Sequence, residues 1–162
     1  MRALIVFCVL LVAVSAAPSG FSFSPSVGSG SGSSYTITGE GRITAVRLWE
    51  SSYVRGIQVR YGSKWSQVAG YRSGTELEIE LFDGEFIAQV SGKYSHYIQS
   101  IMIVTSRGRS IIAGQPSGTT FNMYPEHPMA ELRFLSGRFH GGLTAIATHW
   151  AILPNMSNGT SD

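Results

Sequence analysis

The residues in this 162-residue sequence with the most reactive chemistry are few and scattered. Glu126 and Glu131 lie close to His127, and a carboxylate beside an imidazole is the makings of a general acid–base pair. The segment Pro125-Glu126-His127-Pro128, however, holds two prolines and reads as a surface turn, so no catalytic residue is assigned. The four histidines, His96, His127, His140 and His149, occupy four different local contexts, and no Cys/His spacing suggests a zinc site or another cofactor. Near the C-terminus, Asn155-Met156-Ser157 and Asn158-Gly159-Thr160 each satisfy the N-x-S/T rule for N-glycosylation, provided the chain is secreted.

Secretion is what the other end predicts. Arg2 supplies a short positive region, Ala3 to Val14 is an apolar run, and Val14-Ser15-Ala16 offers small residues for cleavage, so residues 1–16 read as a signal peptide. A run of this length falls short of the roughly 20 residues that span a bilayer. The sole cysteine, Cys8, leaves with that segment, so the mature chain has no disulfide and its stability rests on a packed core. The 12 basic and 10 acidic side chains are dispersed, which argues against a nucleic-acid partner recruited by bulk charge.

The elements that position the remaining residues are strands. From Tyr35 onward, short runs rich in Val, Ile, Tyr and Phe alternate with turns. Ile57, Val59 and Tyr61 share one face of a strand, and Glu76 to Leu81 alternates glutamates with apolar residues. Turns are expected at Gly62-Ser63, Asp83-Gly84, Gly92-Lys93, Arg107-Gly108, Gly118-Thr119 and Gly137-Arg138. All 19 glycines lie at Gly20 or later, and no stretch after Ala16 keeps a helical period, so the fold class is all-β.

Three segments share one outline, a small residue and glycine followed after a short loop by two apolar residues with two small or polar ones between them. They are Thr38-Gly39 leading to Ile43–Val46, Ser91-Gly92 leading to Ile98–Ile101, and Ser136-Gly137 leading to Leu143–Ile146. Their starts are 53 and 45 residues apart. Three such units around one core give a pseudo-threefold fold, either a β-prism or a β-trefoil. The Gly/Ser-rich run from Ser19 to Ser34 reads by composition as a linker.

Longer motifs choose between these. Ile57-Gln58-Val59-Arg60-Tyr61-Gly62 with Trp65, Gln89-Val90-Ser91-Gly92-Lys93-Tyr94, Arg133-Phe134-Leu135-Ser136-Gly137-Arg138, and Ala145-Ile146 with His149-Trp150 resemble, in order, the zymogen granule protein 16 group of the jacalin-related lectins. The resemblance implies a β-prism of three Greek-key, four-stranded sheets and a carbohydrate-binding protein rather than an enzyme. With the reading of the two ends, the chain is expected to divide into signal peptide 1–16, flexible segment 17–26, lectin domain 27–152 and polar tail 153–162. In that family sugar sits at one prism end between three loops, which carries Gly28, Gly30, Gly32 and Ser33, then Tyr97, then Gly142 and Thr144 into the expected carbohydrate site. Glycine suits the first loop because a backbone without Cβ lets N–H groups approach a hydroxyl.

The third loop departs from the family pattern. His140 stands where its glycine belongs and Thr144 where its aspartate belongs. A carboxylate accepts from two sugar hydroxyls, whereas threonine has one short hydroxyl, so mannose-type binding is expected to weaken by roughly 10-fold to 150-fold. Thr144→Asp with His140→Gly is then expected to recover at least about tenfold. The basic residue that family members place beside the glycine loop is replaced by Ser33. The leading expectation is a secreted or granule-stored lectin whose partners are glycans or glycoproteins of microbial surfaces or mucus. The alternative, motivated by Thr144, is a secretory scaffold of the same fold that binds protein instead.

Overall fold

The computed structural model describes residues 20–153, which form strands joined by turns, with no helix among them. The chain runs through β1 (Phe21–Gly28), β2 (Ser33–Ile37), β3 (Ile43–Glu50), β4 (Val54–Tyr61), β5 (Lys64–Trp65), β6 (Ala69–Gly70) and β7 (Thr75–Glu80). It continues through β8 (Ile87–Tyr94), β9 (Ile98–Thr105), β10 (Ser110–Gly114), β11 (Thr119–Met123), β12 (Glu131–Phe139) and β13 (Leu143–Ala151). The signal-peptide segment, Cys8 and both Asn-x-Ser/Thr sites fall outside the described residues.

These strands build three antiparallel sheets, ordered β1-β13-β12-β2, β10-β9-β8-β11 and β5-β4-β3-β7. The last holds five strands rather than the four expected, because the edge beside β4 is shared by two two-residue strands, β5 and β6. In the second and third sheets, three consecutive strands are joined as hairpins and the fourth returns beside the first, which is the Greek-key order. The first sheet obeys the same order only if the chain is read across its ends, as β12, β13, β1, β2. Ile152 N donates to Gly20 O at 2.9 Å where those ends meet.

Residues 17–26 were expected to be a flexible segment, of which 20–26 are described, and there the closure places a strand from Phe21. Residues 21–24 pair with Ala151 to Thr148 of β13, and the pairing resumes at Val27 after an irregularity at Pro25 and Ser26. Serine and proline suggested a linker, but an edge strand tolerates both, since one side of it needs no ladder partner.

The inner faces of the three sheets meet in one core. Leu48, Ile57 and Val59 come from the third sheet, Val90, Ile101 and Ile103 from the second, and Leu135, Ile146 and Trp150 from the first, all with next to no exposed surface. Each buried aliphatic side chain of this kind contributes about 1.5–3 kcal/mol relative to exposure. On the outer face, Glu78 of β7 lies opposite Arg47 of β3 and accepts hydrogen bonds from it at 2.6 and 2.8 Å.

The threefold period is more regular than the sequence suggested. Val54-Arg55-Gly56-Ile57, Ile98-Gln99-Ser100-Ile101 and Leu143-Thr144-Ala145-Ile146 each open the second strand of a unit. Ile57, Ile101 and Ile146 are therefore 44 and 45 residues apart. Thr38-Gly39 leading to Ile43–Val46 is not the third copy, for Ile43 opens β3, a first strand, and Gly39 lies before it against the ring of Tyr61. Gly92 and Gly137, expected in turns, sit inside β8 and β12 opposite Ile101 and Ile146. A Cβ on either would collide with a carbonyl of the neighbouring strand.

Candidate functional site

Strand polarity places several loops at one end of the prism. Residues 29–32 join β1 to β2, Ser95-His96-Tyr97 joins β8 to β9, and His140-Gly141-Gly142 joins β12 to β13. The threefold partner of the last two, Ser51-Ser52-Tyr53, joins β3 to β4, and residues 71–74 join β6 to β7. All five therefore open on the same face.

The glycine loop is fastened to both neighbours. Ser29 Oγ donates to the carbonyl of His96 at 2.7 Å, Gly30 N donates to the carbonyl of Thr144 at 3.3 Å, and Arg138 Nη1 donates to the carbonyl of Gly32 at 2.8 Å. Gly28, Gly30 and Gly32 all have positive φ, at 111°, 69° and 87°. A Cβ on Gly28 would land on the Thr144 carbonyl, and one on Gly32 on the Phe139 carbonyl. Glycine is thus required at both positions by conformation and by space.

The expected site residues divide between rim and support. Tyr97 is half-buried, and its ring lies parallel to that of Tyr53 at a centroid distance of 4.0 Å and an angle of 4°, with His96 edge-on to it at 4.7 Å. Ser33 stands exposed at the start of β2, opposite Phe139. Gly142 is buried, and a Cβ there would strike the Tyr53 ring. Thr144, expected at the contact surface, is 0% exposed, and its hydroxyl donates to the carbonyl of Ser31 at 2.6 Å. His140 is exposed, and its backbone N–H donates to the Gly142 carbonyl at 2.9 Å, which closes the loop.

Several residues here were not assigned to the site from the sequence, where Arg55 reads as one of several dispersed strand arginines on a solvated face. Arg55 Nη1 donates to the Tyr53 hydroxyl at 2.5 Å and to the Gly141 carbonyl at 2.7 Å. Tyr53 OH reaches the same carbonyl at 3.4 Å, and the Gly141 N–H points to the Tyr71 hydroxyl at 3.5 Å. The Tyr97 phenol is pushed above its ordinary pKa, first by desolvation and then by the neighbouring Tyr53 hydroxyl, while Arg55 opposes the shift. Arg138 supplies a cation beside the glycine loop although position 33 is serine. The signal for Tyr53 and Arg55 was the threefold period, which places them level with Tyr97 and Thr144 once the copies are aligned on β4.

The acid–base candidates do not assemble. Glu131 is buried on β12 and accepts from Arg42 Nε at 3.1 Å, while His127 Nδ1 accepts from the Met129 N–H at 3.1 Å within its own turn. Among the described residues no three His, Cys, Asp or Glu side chains are grouped to hold a metal ion.

A threefold prism with a glycine loop at one end is matched by the family described as Jacalin-like lectin domain over residues 24–149. The chain belongs to this family. Zymogen granule membrane protein 16 of Rattus norvegicus is 39% identical over 159 residues, covering 96% of this chain and 95% of that protein. The Homo sapiens protein of the same name is 41% identical over 138 residues, covering 83% of each. Among solved structures, a prostate-specific WGA16 glycoprotein lectin superposes with a TM-score of 0.73 at 30% identity, covering 82% of this chain and 100% of that one. The artocarpin–mannotriose complex superposes at 0.71 with 21% identity, covering 83% and 99%, which bears on the fold. This jacalin-like lectin is a carbohydrate-binding protein and not an enzyme.

Proposed function

We propose that this jacalin-like lectin is secreted and binds glycans at the prism end framed by the glycine loop, Tyr97 and the 140–142 loop. The observation that carries the reading is the hydrogen-bonded convergence of those loops, Ser29 on His96 and Ser31 on Thr144, around exposed or half-buried side chains. Gly28, Gly30 and Gly32 bring backbone to the surface, Ser33 and Tyr97 offer hydroxyls on the rim, and Gly142 and Thr144 hold the shape from beneath. The residues of this reading include no carboxylate, so recognition rests on backbone, phenol and ring faces. The relatives named for zymogen granule membranes support storage in a secretory granule before release, with glycans or glycoproteins of mucus or microbes as partners.

A panel of neutral and acidic glycans, titrated with the protein produced by a secreting host, tests this. Binding that falls at least about tenfold in Tyr97→Ala, with the β spectrum kept, is the expected result. Absence of binding to every glycan in the panel overturns it. The buried, already committed Thr144 hydroxyl favours the second reading in that event, a secretory scaffold that recognises protein partners through the same end.

A further inference from the structure

Tryptophan is divided unequally between the inside of this prism and its surface. Of the three in the chain, Trp49 and Trp150 are buried, whereas Trp65, in the two-residue strand β5, is only partly covered. It borders a cleft of about 610 Å³ between the 38–42 loop and residues 64–67. That loop joins β2 to β3, so the cleft lies at the end of the prism opposite the glycine loop. Its volume falls in the range of sites that hold small molecules, roughly 300–1,000 Å³.

The walls are fixed, but the polar groups on them are not engaged. The Arg47 guanidinium lies 4.2 Å from the centre of the Trp65 ring and is itself held by Glu76 and Glu78. Ser66, the next residue, accepts from the Val59 N–H with its hydroxyl at 3.2 Å and from Gln58 Nε2 with its carbonyl at 2.8 Å. Tyr61 forms a buried part of the wall, its hydroxyl donating to the Arg133 carbonyl at 2.6 Å. By contrast, the Glu40 carboxylate, the Lys64 ammonium, the Gln67 amide and the Trp65 indole N–H have no hydrogen-bond or ion-pair partner among the described residues. Glu40, Lys64 and Gln67 are all exposed.

This set matches a narrow class of ligand. The carboxylate accepts, the ammonium and the indole donate, and the amide does both, beside an apolar ring. A neutral sugar meets all of these together, since each hydroxyl both donates and accepts and one side of the ring carries only C–H groups. The opposite charges of Glu40 and Lys64 call for no net charge on the ligand. Glu40 also supplies the carboxylate that the residues of the loop-end reading lack.

We propose that this cleft is a second glycan site, which takes a neutral sugar against Trp65 with its hydroxyls shared among Glu40, Lys64 and Gln67. It goes beyond the loop-end reading and does not depend on it. The two ends are separated by about the length of an eight-residue strand, roughly 26 Å, so one chain would bridge two glycans.

Acrylamide quenching of tryptophan emission, followed against rising methyl α-mannoside, methyl β-galactoside or N-acetylglucosamine, tests this, because Trp49 and Trp150 are buried and Trp65 is the one within reach. At least one of the sugars should protect the emission saturably. Glu40→Gln should weaken that protection at least about tenfold, as loss of a hydrogen bond to a charged group implies, and Gln67→Ala should weaken it severalfold. Tyr97→Ala, which acts on the loop-end reading alone, should not alter it. Absence of protection by all three sugars, protection that survives Glu40→Gln unchanged in a folded variant, or protection lost in Tyr97→Ala overturns the distal site. Calorimetry with the same sugars separates the two readings. Binding that Tyr97→Ala abolishes, with Trp65 never protected, removes the distal site and leaves the loop-end reading standing. Protection of Trp65 with binding heat that Tyr97→Ala does not change supports the distal site and removes the loop-end reading.

Discussion

Thr144 and Ser31 are joined by a hydrogen bond of 2.6 Å in which the threonine hydroxyl donates to the serine carbonyl. The pair links the first residue pair of β13 to the glycine loop, 113 positions away in sequence. A side chain that reads as a weakened ligand contact is, in the fold, a peg that holds the loop.

Thr144→Val should therefore cost about 1 kcal/mol of stability, since it leaves the Ser31 carbonyl without its donor. Thr144→Asp should cost more at neutral pH, because a carboxylate would face that carbonyl, acceptor against acceptor. This sets a structural cost against the gain expected for Thr144→Asp with His140→Gly. Denaturant unfolding of the three variants, alongside mannoside titration, measures both sides.

Two glycines of similar φ should respond differently to a methyl group. Gly32 and Gly41 have φ of 87° and 78°, but a Cβ on Gly32 meets the Phe139 carbonyl, while one on Gly41 meets nothing within 4 Å. Gly41→Ala should cost about 1 kcal/mol from backbone strain alone. Gly32→Ala should cost at least twice that and weaken glycan binding, read from thermal melts and titrations of the two variants.

Glu85 should govern part of the acid stability. It is buried, accepts from Arg109 at 2.6 and 3.0 Å, and takes further hydrogen bonds from the Thr105 hydroxyl and the Phe82 N–H. Donation from Arg109 is the largest influence holding its pKa at about 2 instead of the ordinary 4.5, against the opposing effect of burial. A folded pKa below the unfolded one stabilises the native state above about pH 4.5 and loses that contribution as pH falls toward 2. Glu85→Gln should lower stability by on the order of 3 kcal/mol near neutral pH. Its deficit should shrink between pH 4.5 and 2, which unfolding at a series of pH values would show.

Protein from a eukaryotic secretory host should begin at Ala17 and carry glycan on the tail. An amide-cleaving N-glycosidase should then shift its mass, and Asn155→Gln with Asn158→Gln should abolish the shift. Intact-mass and N-terminal analysis read both outcomes, and a retained Cys8 would count against cleavage after Ala16.

Much of the fold was legible in the sequence because a strand's pattern is local. The alternation in Glu76 to Leu81 and the apolar face Ile57-Val59-Tyr61 mark β7 and β4 without knowledge of their neighbours. The motifs from Ile57 to Trp150 were enough to name the family, and with it the prism. Turn glycines were less reliable. Gly92 and Gly137 look like Gly62 or Gly108 in sequence, yet they lie inside strands because the neighbouring strand's carbonyl leaves no room for a Cβ.

The sequence by itself determined the all-β class, the family and the order of the three loops. Only the tertiary structure decided that residues 21–24 are a strand, that Thr144 faces inward to Ser31, and that the Arg138 guanidinium lies against the glycine loop at Gly32. The same is true of Arg55, Tyr53 and Tyr71 meeting at Gly141. The reason is that a side chain's direction is fixed by its own strand, but its partner is fixed by sheet closure. In this prism, closure joins residues from 67 to 113 positions apart at one end, as Ser29 with His96 and Ser31 with Thr144 show.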